Sequence, residues 1–317
     1  MEDLTLSLGS ENIQYRGAGK QTRGFLTVIP FGHLMAEYYR HTAGLGTMIL
    51  FNSRFRREMD NSGYRPPTKH AKVNSAIIRC LRDTGDGDYV AARLAARHRL
   101  VPQFLWSAEQ ALEKYLKGIL TLHRVSALTI GHDISKALTL IEKELGFEIP
   151  LTLRQKEVFE AIAEWDSDRY FLNHVGVMGH ELHYLDQMVW RIRQYCQPLD
   201  VMHYADEPSR AVLEQNVKAI QGRELTAPRE GDLVGGRLEQ MLVDKNDPAR
   251  SALVWKNLMF STSTRKKVSR RNHMHMSNAP LWLDPDLIDD VAKLLKVPKP
   301  LQEEYRQLAK RRALGQD

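Results

Sequence analysis

Three features of the sequence predict an all-α fold. Phe104, Ala108, Ala111, Leu112, Tyr115, Ile119 and Leu122 follow one another in steps of three and four, with Gln110, Glu113, Lys114 and Lys117 largely on the other side. That is the stripe of an amphipathic helix of about six turns. Helix boundaries are marked on both sides: Asp133 precedes an apolar-periodic run that Gly146 ends, and Thr152 stands three residues before Gln155. Helix-favouring residues also dominate the middle and C-terminal half of the chain.

Taken in order, Met1 to about Gly24 is polar, glycine-containing and without a sustained period, and is expected to be a mobile tail. Phe25–Ile29 reads as a short strand or extended packing segment and Phe31–Arg40 as a short helix. Arg54, Arg56 and Arg57 lead into the breakers Asn61-Ser62-Gly63 and Pro66-Pro67, a loop signal. Thr84-Gly85-Asp86-Gly87-Asp88 reads as a turn, after which the helical signals strengthen. Tyr89–Leu100 is a helix stopped near Pro102, and Pro102 opens the next at its first turn, where a missing N–H costs nothing.

Asp133 caps a third helix with Ile134, Ala137, Leu138, Ile141 and Leu145 facing inward. Thr152 and Gln155 box the start of a fourth, carrying Val158, Ala161, Ile162 and Trp165. A fifth runs from about Gly179 to Tyr195, with Leu182, Leu185, Val189 and Ile192 inward and Pro198 as its stop. Leu112, Leu116, Ile119, Leu138, Ile141, Ile162, Trp165, Leu185 and Ile192 are expected to share one core. Further on, Ser209–Gln221 and Asp232–Val243 are shorter candidates, the latter weakened by Gly235-Gly236, and Asp247-Pro248 and Asp284-Pro285 each pair a capping acid with a first-turn proline. The segments divide as an N-terminal extension over 1–86, partly irregular, a helical bundle over 87–197, and a basic helical C-terminal region over 198–317.

Composition narrows the function classes. The 317 residues, 43% of them hydrophobic, suffice for one large or two ordinary domains. No run of about 18 uncharged apolar residues occurs, so no membrane span is expected. The apolar run Phe25–Ala36 is broken by Pro30 and His33 and lacks a cleavage site, so it reads as folded structure and not as a signal peptide. Cys80 and Cys196 form no metal-type pair. They read as small buried apolar residues in a reducing cytoplasm. A net charge of +6 favours polyanionic partners. No P-loop, dinucleotide glycine motif or zinc module is present, and no internal repeat of solenoid spacing.

Three stretches resemble the HEPN domain family. Gln103-Phe104-Leu105-Trp106-Ser107-Ala108-Glu109-Gln110-Ala111-Leu112-Glu113-Lys114-Tyr115-Leu116-Lys117 is similar to the family's long second helix. Gly131-His132-Asp133 is similar to the opening of its next helix. Asp168-Arg169-Tyr170-Phe171-Leu172-Asn173-His174 stands where the family carries its functional motif. The resemblance implies an up-and-down helical bundle that often dimerises. It also implies kinship with a group that includes ribonuclease toxins of toxin–antitoxin systems, defence proteins, and inactive RNA-binding or partner-binding versions. The implied partners are RNA, a second copy of the chain, and a protein such as a cognate antitoxin or a nucleotidyltransferase. No cofactor and no metal are implied.

In the ribonuclease members an arginine is followed by four to six variable residues and then a histidine. Arg169 and His174, with four residues between them, satisfy that spacing. Tyr170 occupies a position that is usually polar there, and an Arg-Tyr pair also occurs in inactive members. A metal-independent endoribonuclease and a non-catalytic partner module therefore both remain open. The chemistry suits these residue types. When the 2′-hydroxyl of RNA attacks the adjacent phosphorus, an imidazole can move the proton and a guanidinium can stabilise charge on the phosphate oxygens. On a regular helix a five-residue step turns by about 140°, so the two would share a face only if the helix ends or kinks between them, which Asn173, Gly176 and Gly179 allow.

Lys266, Lys267, Arg270 and Arg271, with Arg265 beside them and His273, His275 and Trp282 following, form the densest basic cluster and the expected nucleic-acid contact. Arg54–Arg57 is a smaller one. His180 and His183 share a helix face, as a polar surface more than as metal ligands, since structural sites ordinarily use four donors. His132 is expected to hydrogen-bond at a helix start.

Overall fold

A computed structural model of the chain describes residues 67–164, 175–177, 179–201, 207–222, 234–261 and 275–315. The chain divides into two compact units, Met1–Pro66 and Pro67–Asp317, and the described residues all belong to the second. The expectations for the tail, the Phe25–Ile29 strand, the Phe31–Arg40 helix and the Arg54–Arg57 cluster fall outside them.

The fold is all-α. Among the described residues the first element is α1 (Lys69–Ile77), capped by the Thr68 hydroxyl, which accepts from Ala71 N at 3.2 Å. A π-helical turn over Ile78–Arg82 leads without a break into α2 (Asp83–Arg97). The turn expected at Thr84–Asp88 is therefore a helix. Its two glycines mislead for different reasons. Gly85 is a packing residue: a Cβ there would lie 3.2 Å from Tyr115 Cε1 and 3.3 Å from Lys114 Cβ. Gly87 faces open space, and Asp86 points into the core, where it is fully buried.

His98, Arg99 and Leu100 connect α2 to α3 (Val101–Leu122), and the two helices pack closely. Leu100 N reaches Ala95 O at 2.9 Å and Arg99 N reaches Ala96 O at 3.1 Å. This is a Schellman ending with Arg99 in the left-handed position, φ 62°, that glycine usually takes. Arg124 ends α3 the same way, also at φ 62°. Pro102 lies in the first turn of α3, as expected.

The central helix is α3, which packs against α2, against α4 (Ile134–Leu145), α5 (Leu153–Glu164) and α6 (Glu181–Arg193), and against both short strands. The expected caps form. Asp133 Oδ1 accepts from Lys136 N at 2.8 Å, Gly146 closes α4 at φ 71°, and Thr152 and Gln155 bond reciprocally at 2.9 and 3.3 Å. Of the nine residues expected to share one core, Leu112, Leu116, Ile119, Ile141, Ile162, Leu185 and Ile192 are buried in a single cluster. Leu138 packs against it half-buried, and Trp165 lies outside the described residues.

That core extends past the bundle through α7 (Arg210–Gln221), α8 (Arg237–Val243) and α9 (Arg250–Val254). Helix α8 begins only at Arg237, because Gly235 and Gly236 both hold positive φ, 76° and 125°. A second, smaller core gathers Ala279, Leu281, Ile288, Val297, Leu301, Tyr305 and Leu308 around a 3-10 turn (Pro285–Leu287), α10 (Ile288–Leu294) and α11 (Lys299–Ala313). The described strands, β1 (Val175–Val177) and β2 (His275–Ser277), pair antiparallel with Val175 opposite Ser277 and Val177 opposite His275. No described helix is long and apolar enough to cross a membrane. Cys196 is buried, whereas Cys80, expected to be buried too, is exposed on the π-helical turn, and both thiols are free.

Candidate functional site

Arg169 and His174 lie outside the described residues, as do Lys266, Lys267, Arg270 and Arg271. The chain just beyond each segment is described. Strand β1 starts immediately after His174, and β2 starts four residues after Arg271. Because the two strands run antiparallel in register, the chain enters them from opposite ends of a three-residue ribbon, and both strands lie against α3.

The face of α3 that carries the resemblance holds a connected set of polar side chains. Glu113 is the hub: its Oε2 is 3.0 Å from His132 Nδ1, and its Oε1 is ion-paired with Lys117, one turn on. Lys117 Nζ also donates to Gly131 O at 2.5 Å. Gln110 Nε2 donates to Glu109 Oε2 at 2.7 Å and to Glu113 Oε2 at 3.4 Å. Burial pushes the Glu113 carboxyl up, but Lys117 and His132 outweigh it and hold the group below its ordinary range. Glu113 is therefore an anion, and it fixes the His132 ring, whose side chain remains about half exposed at 48%. Chemically the cluster clamps the Gly131-His132-Asp133 turn onto α3 and leaves an imidazole at the surface beside a carboxylate. Helix α3 was legible from its period; the clamp was foreshadowed only by His132 as a hydrogen-bonding residue at a helix start. His183 bonds Gln187 at 2.6 Å, and Gln187 accepts from Gln155 at 2.9 Å, tying α6 to α5.

Two buried ionic networks set the framework behind this face, and neither was visible in the sequence. In the first, Arg193 of α6 donates to both oxygens of Asp86, at 2.7 and 2.9 Å, and to both oxygens of Glu239 in α8, at 2.5 and 2.6 Å. Tyr115 of α3 adds a bond to Asp86 at 2.8 Å. In the second, Arg93 is ion-paired with Asp186 and donates to the carbonyls of Ala252, at 3.0 Å, and Trp255. Tyr89 donates to Asp186 at 2.6 Å and receives Asn257 Nδ2 at 3.0 Å. Loss of water pushes the Asp186 carboxyl upward, with the Arg93 guanidinium opposing it.

The second network holds a segment that sequence reasoning passed over. Trp255 and Lys256 stand beside an open cavity of about 440 Å³, which Arg97, Lys245 and Arg250 also line. The signal was an aromatic residue set among three cations over Lys245–Lys256, sparser than the Arg265–Arg271 run that drew attention instead.

Comparison with protein-family models, with curated proteins and with solved structures finds no match for this chain. The likeness to the HEPN domain therefore rests on the three stretches of sequence alone.

Proposed function

We propose that the chain is a HEPN-type protein that binds RNA and cleaves it without a metal, using Arg169 and His174. The observation that supports this most is the joining of the first two resembling stretches at one helix. Glu113 and Lys117 of the first stretch bond His132 and Gly131 of the second, and the strand that begins directly after the third lies against that same helix. These contacts join residues 19 and 14 apart in sequence in one clamp, which is compatible with a helical bundle of this kind.

In the proposed reaction His174 takes the proton of the RNA 2′-hydroxyl as its oxygen attacks the neighbouring phosphorus. The new P–O2′ bond forms, the P–O5′ bond breaks, and the departing 5′-oxygen takes up a proton from water. Arg169 holds the charge that builds on the non-bridging oxygens. In this reading a second copy of the chain supplies a second Arg–His pair, as the resemblance implies. Lys266, Lys267, Arg270 and Arg271 supply phosphate contacts that are independent of sequence.

The test uses the full chain with end-labelled single-stranded RNA, beside His174→Ala and Arg169→Ala variants that melt at the same temperature. Each variant is expected to cleave on the order of 10²-fold more slowly or worse, while retaining binding. Binding without cleavage by the unaltered protein would reduce the reading to RNA recognition alone. Absence of both would leave the helical surface as a docking module for another protein.

A further inference from the structure

The residues that line the cavity beside Trp255 belong to none of the stretches that resemble the HEPN family, and its construction is unusual. Val254 to Asn257 form a tight turn closed by Asn257 N to Val254 O at 3.4 Å. Trp255 holds φ −61° and ψ 113°, and Lys256 holds φ 50°. These angles approach those of a type II turn, whose third position ordinarily requires glycine. The positive φ of Arg99 and Arg124 each belongs to a Schellman helix ending; that of Lys256 does not. A lysine kept in a strained backbone position needs surroundings that over-determine it, and such strain gathers at binding sites. The surroundings are the second buried network: Arg93 grips the carbonyls of Ala252 and Trp255, while the Asn257 side chain holds Leu253 O, Met259 N and Phe260 N at 2.9 to 3.0 Å.

The turn presents Lys256 and Trp255 to the cavity. Lys256 Nζ lies 5.2 Å from the centre of the indole, and the Arg97 guanidinium lies 5.9 Å from it. Lys245 and Arg250 add two more cations. The carboxylate in the lining, Asp247, is 3.2 Å from Arg237 and accepts from Ala249 N at 2.8 Å, so it is committed elsewhere. Arg97, Lys245 and Lys256 have no carboxylate partner among the described residues. A volume of about 440 Å³ falls within the range of small-ligand sites.

We propose that this cavity binds the phosphate and base of a nucleotide, with Arg97, Lys245 and Lys256 on the phosphate and the Trp255 indole against the base. Cations satisfy phosphate oxygens, and an indole offers a stacking face to any base. The same chemistry is presented by a free nucleotide and by one unit of a single RNA strand. The site does not depend on the roles given to Arg169 and His174.

Binding of ATP, of inorganic pyrophosphate and of a fluorescent oligouridylate to the full chain is measured as a function of salt, with the variants Lys245→Ala, Lys256→Gly and Trp255→Ala. Lys256→Gly removes the cation and relieves the backbone, so its Tm should equal or exceed that of the unaltered protein while its affinity falls about tenfold. Lys245→Ala, at an exposed position, should weaken binding similarly, and combining the two should lower the salt slope for the oligomer by about 1.4, at about 0.7 per single-strand phosphate contact. Trp255→Ala should weaken ATP and the oligomer but spare pyrophosphate. Loss for ATP alone assigns the site to free nucleotides, and loss for the oligomer alone to single-stranded RNA. No binding of any probe by the unaltered protein, unchanged affinity in all variants, or loss only where Tm also falls would overturn the proposal.

Discussion

Replacing Arg193 by methionine should be among the most damaging single changes available to the described core. The side chain is 1% exposed and bonds both oxygens of Asp86 and both of Glu239, as well as Gly235 O at 3.1 Å. One positive charge thus bonds two buried carboxylates, with Arg82 adding a weaker attraction on Glu239. Methionine fills much of the same space, so the loss is electrostatic more than a cavity effect. Asp86 would retain Tyr115 at 2.8 Å and Leu238 N at 3.3 Å, but both carboxylates would be left buried without the cation between them. Stranding one side of a buried ion pair costs about 3–5 kcal/mol, against a total stability of about 5–15 kcal/mol for a domain. With a urea slope of roughly 3 kcal/mol/M, the unfolding midpoint followed by circular dichroism should fall by about 1–2 M. The triple variant Asp86→Asn, Arg193→Met, Glu239→Gln removes the stranded charges and should recover part of the loss. A single variant within about 1 kcal/mol of the unaltered protein, or a triple variant less stable than the single, would refute the reasoning.

The same networks and helix contacts carry further expectations. Burial pushes the Glu239 carboxyl up, but Arg193 outweighs it and holds the group below its ordinary range. The associated stability is therefore full above the unfolded glutamate value, about 4.3, and is lost as pH falls through the lower folded value. Melting curves against pH should show Glu239→Gln less stable than the unaltered protein at neutrality, with the gap closing under acid; a gap that widens contradicts this. Burial pushes the Cys196 thiol up to about 12, while Cys80 is exposed. Iodoacetamide at mildly alkaline pH should thus label Cys80 alone in the native protein and both in urea, as read by peptide mass spectrometry. Gly87→Ala should stabilise by up to about 1 kcal/mol, because nothing lies within 4 Å of its Cβ. Gly85→Ala should destabilise by about 1–3 kcal/mol against Tyr115 and Lys114, and chemical denaturation of the pair separates helix propensity from packing.

What could be read from the sequence was local. The long stripe of α3, the Asp133 cap, the Gly146 ending and the Thr152–Gln155 box each depend on residues within a turn or two, and each forms as the spacing says. What could not be read depends on partners far along the chain. Asp86 looked like a turn residue because Gly85 and Gly87 flank it, and it is Arg193, 107 residues later, and Tyr115 that give it a reason to be buried in a helix. Arg99 and Arg124 end helices where glycine would have announced the stop. The strands are three residues long, too short for an alternating pattern to register. Within the candidate site, the residue types and the spacing of Arg169 and His174 were legible, and so was His132 as a hydrogen-bonding group. Its tie to Glu113 across 19 residues was not.

RNA cleavage by imidazole and guanidinium is tested most directly by the chemical ends of the products. RNA incubated with the full chain in excess EDTA is predicted to yield fragments ending in 2′,3′-cyclic phosphate, because the 2′-hydroxyl is the nucleophile, and His174→Ala is predicted to slow their appearance on the order of 10²-fold or more. Fragments ending in a 3′-hydroxyl, cleavage that stops on chelation, or an unchanged rate in the His174→Ala and Arg169→Ala variants would contradict it.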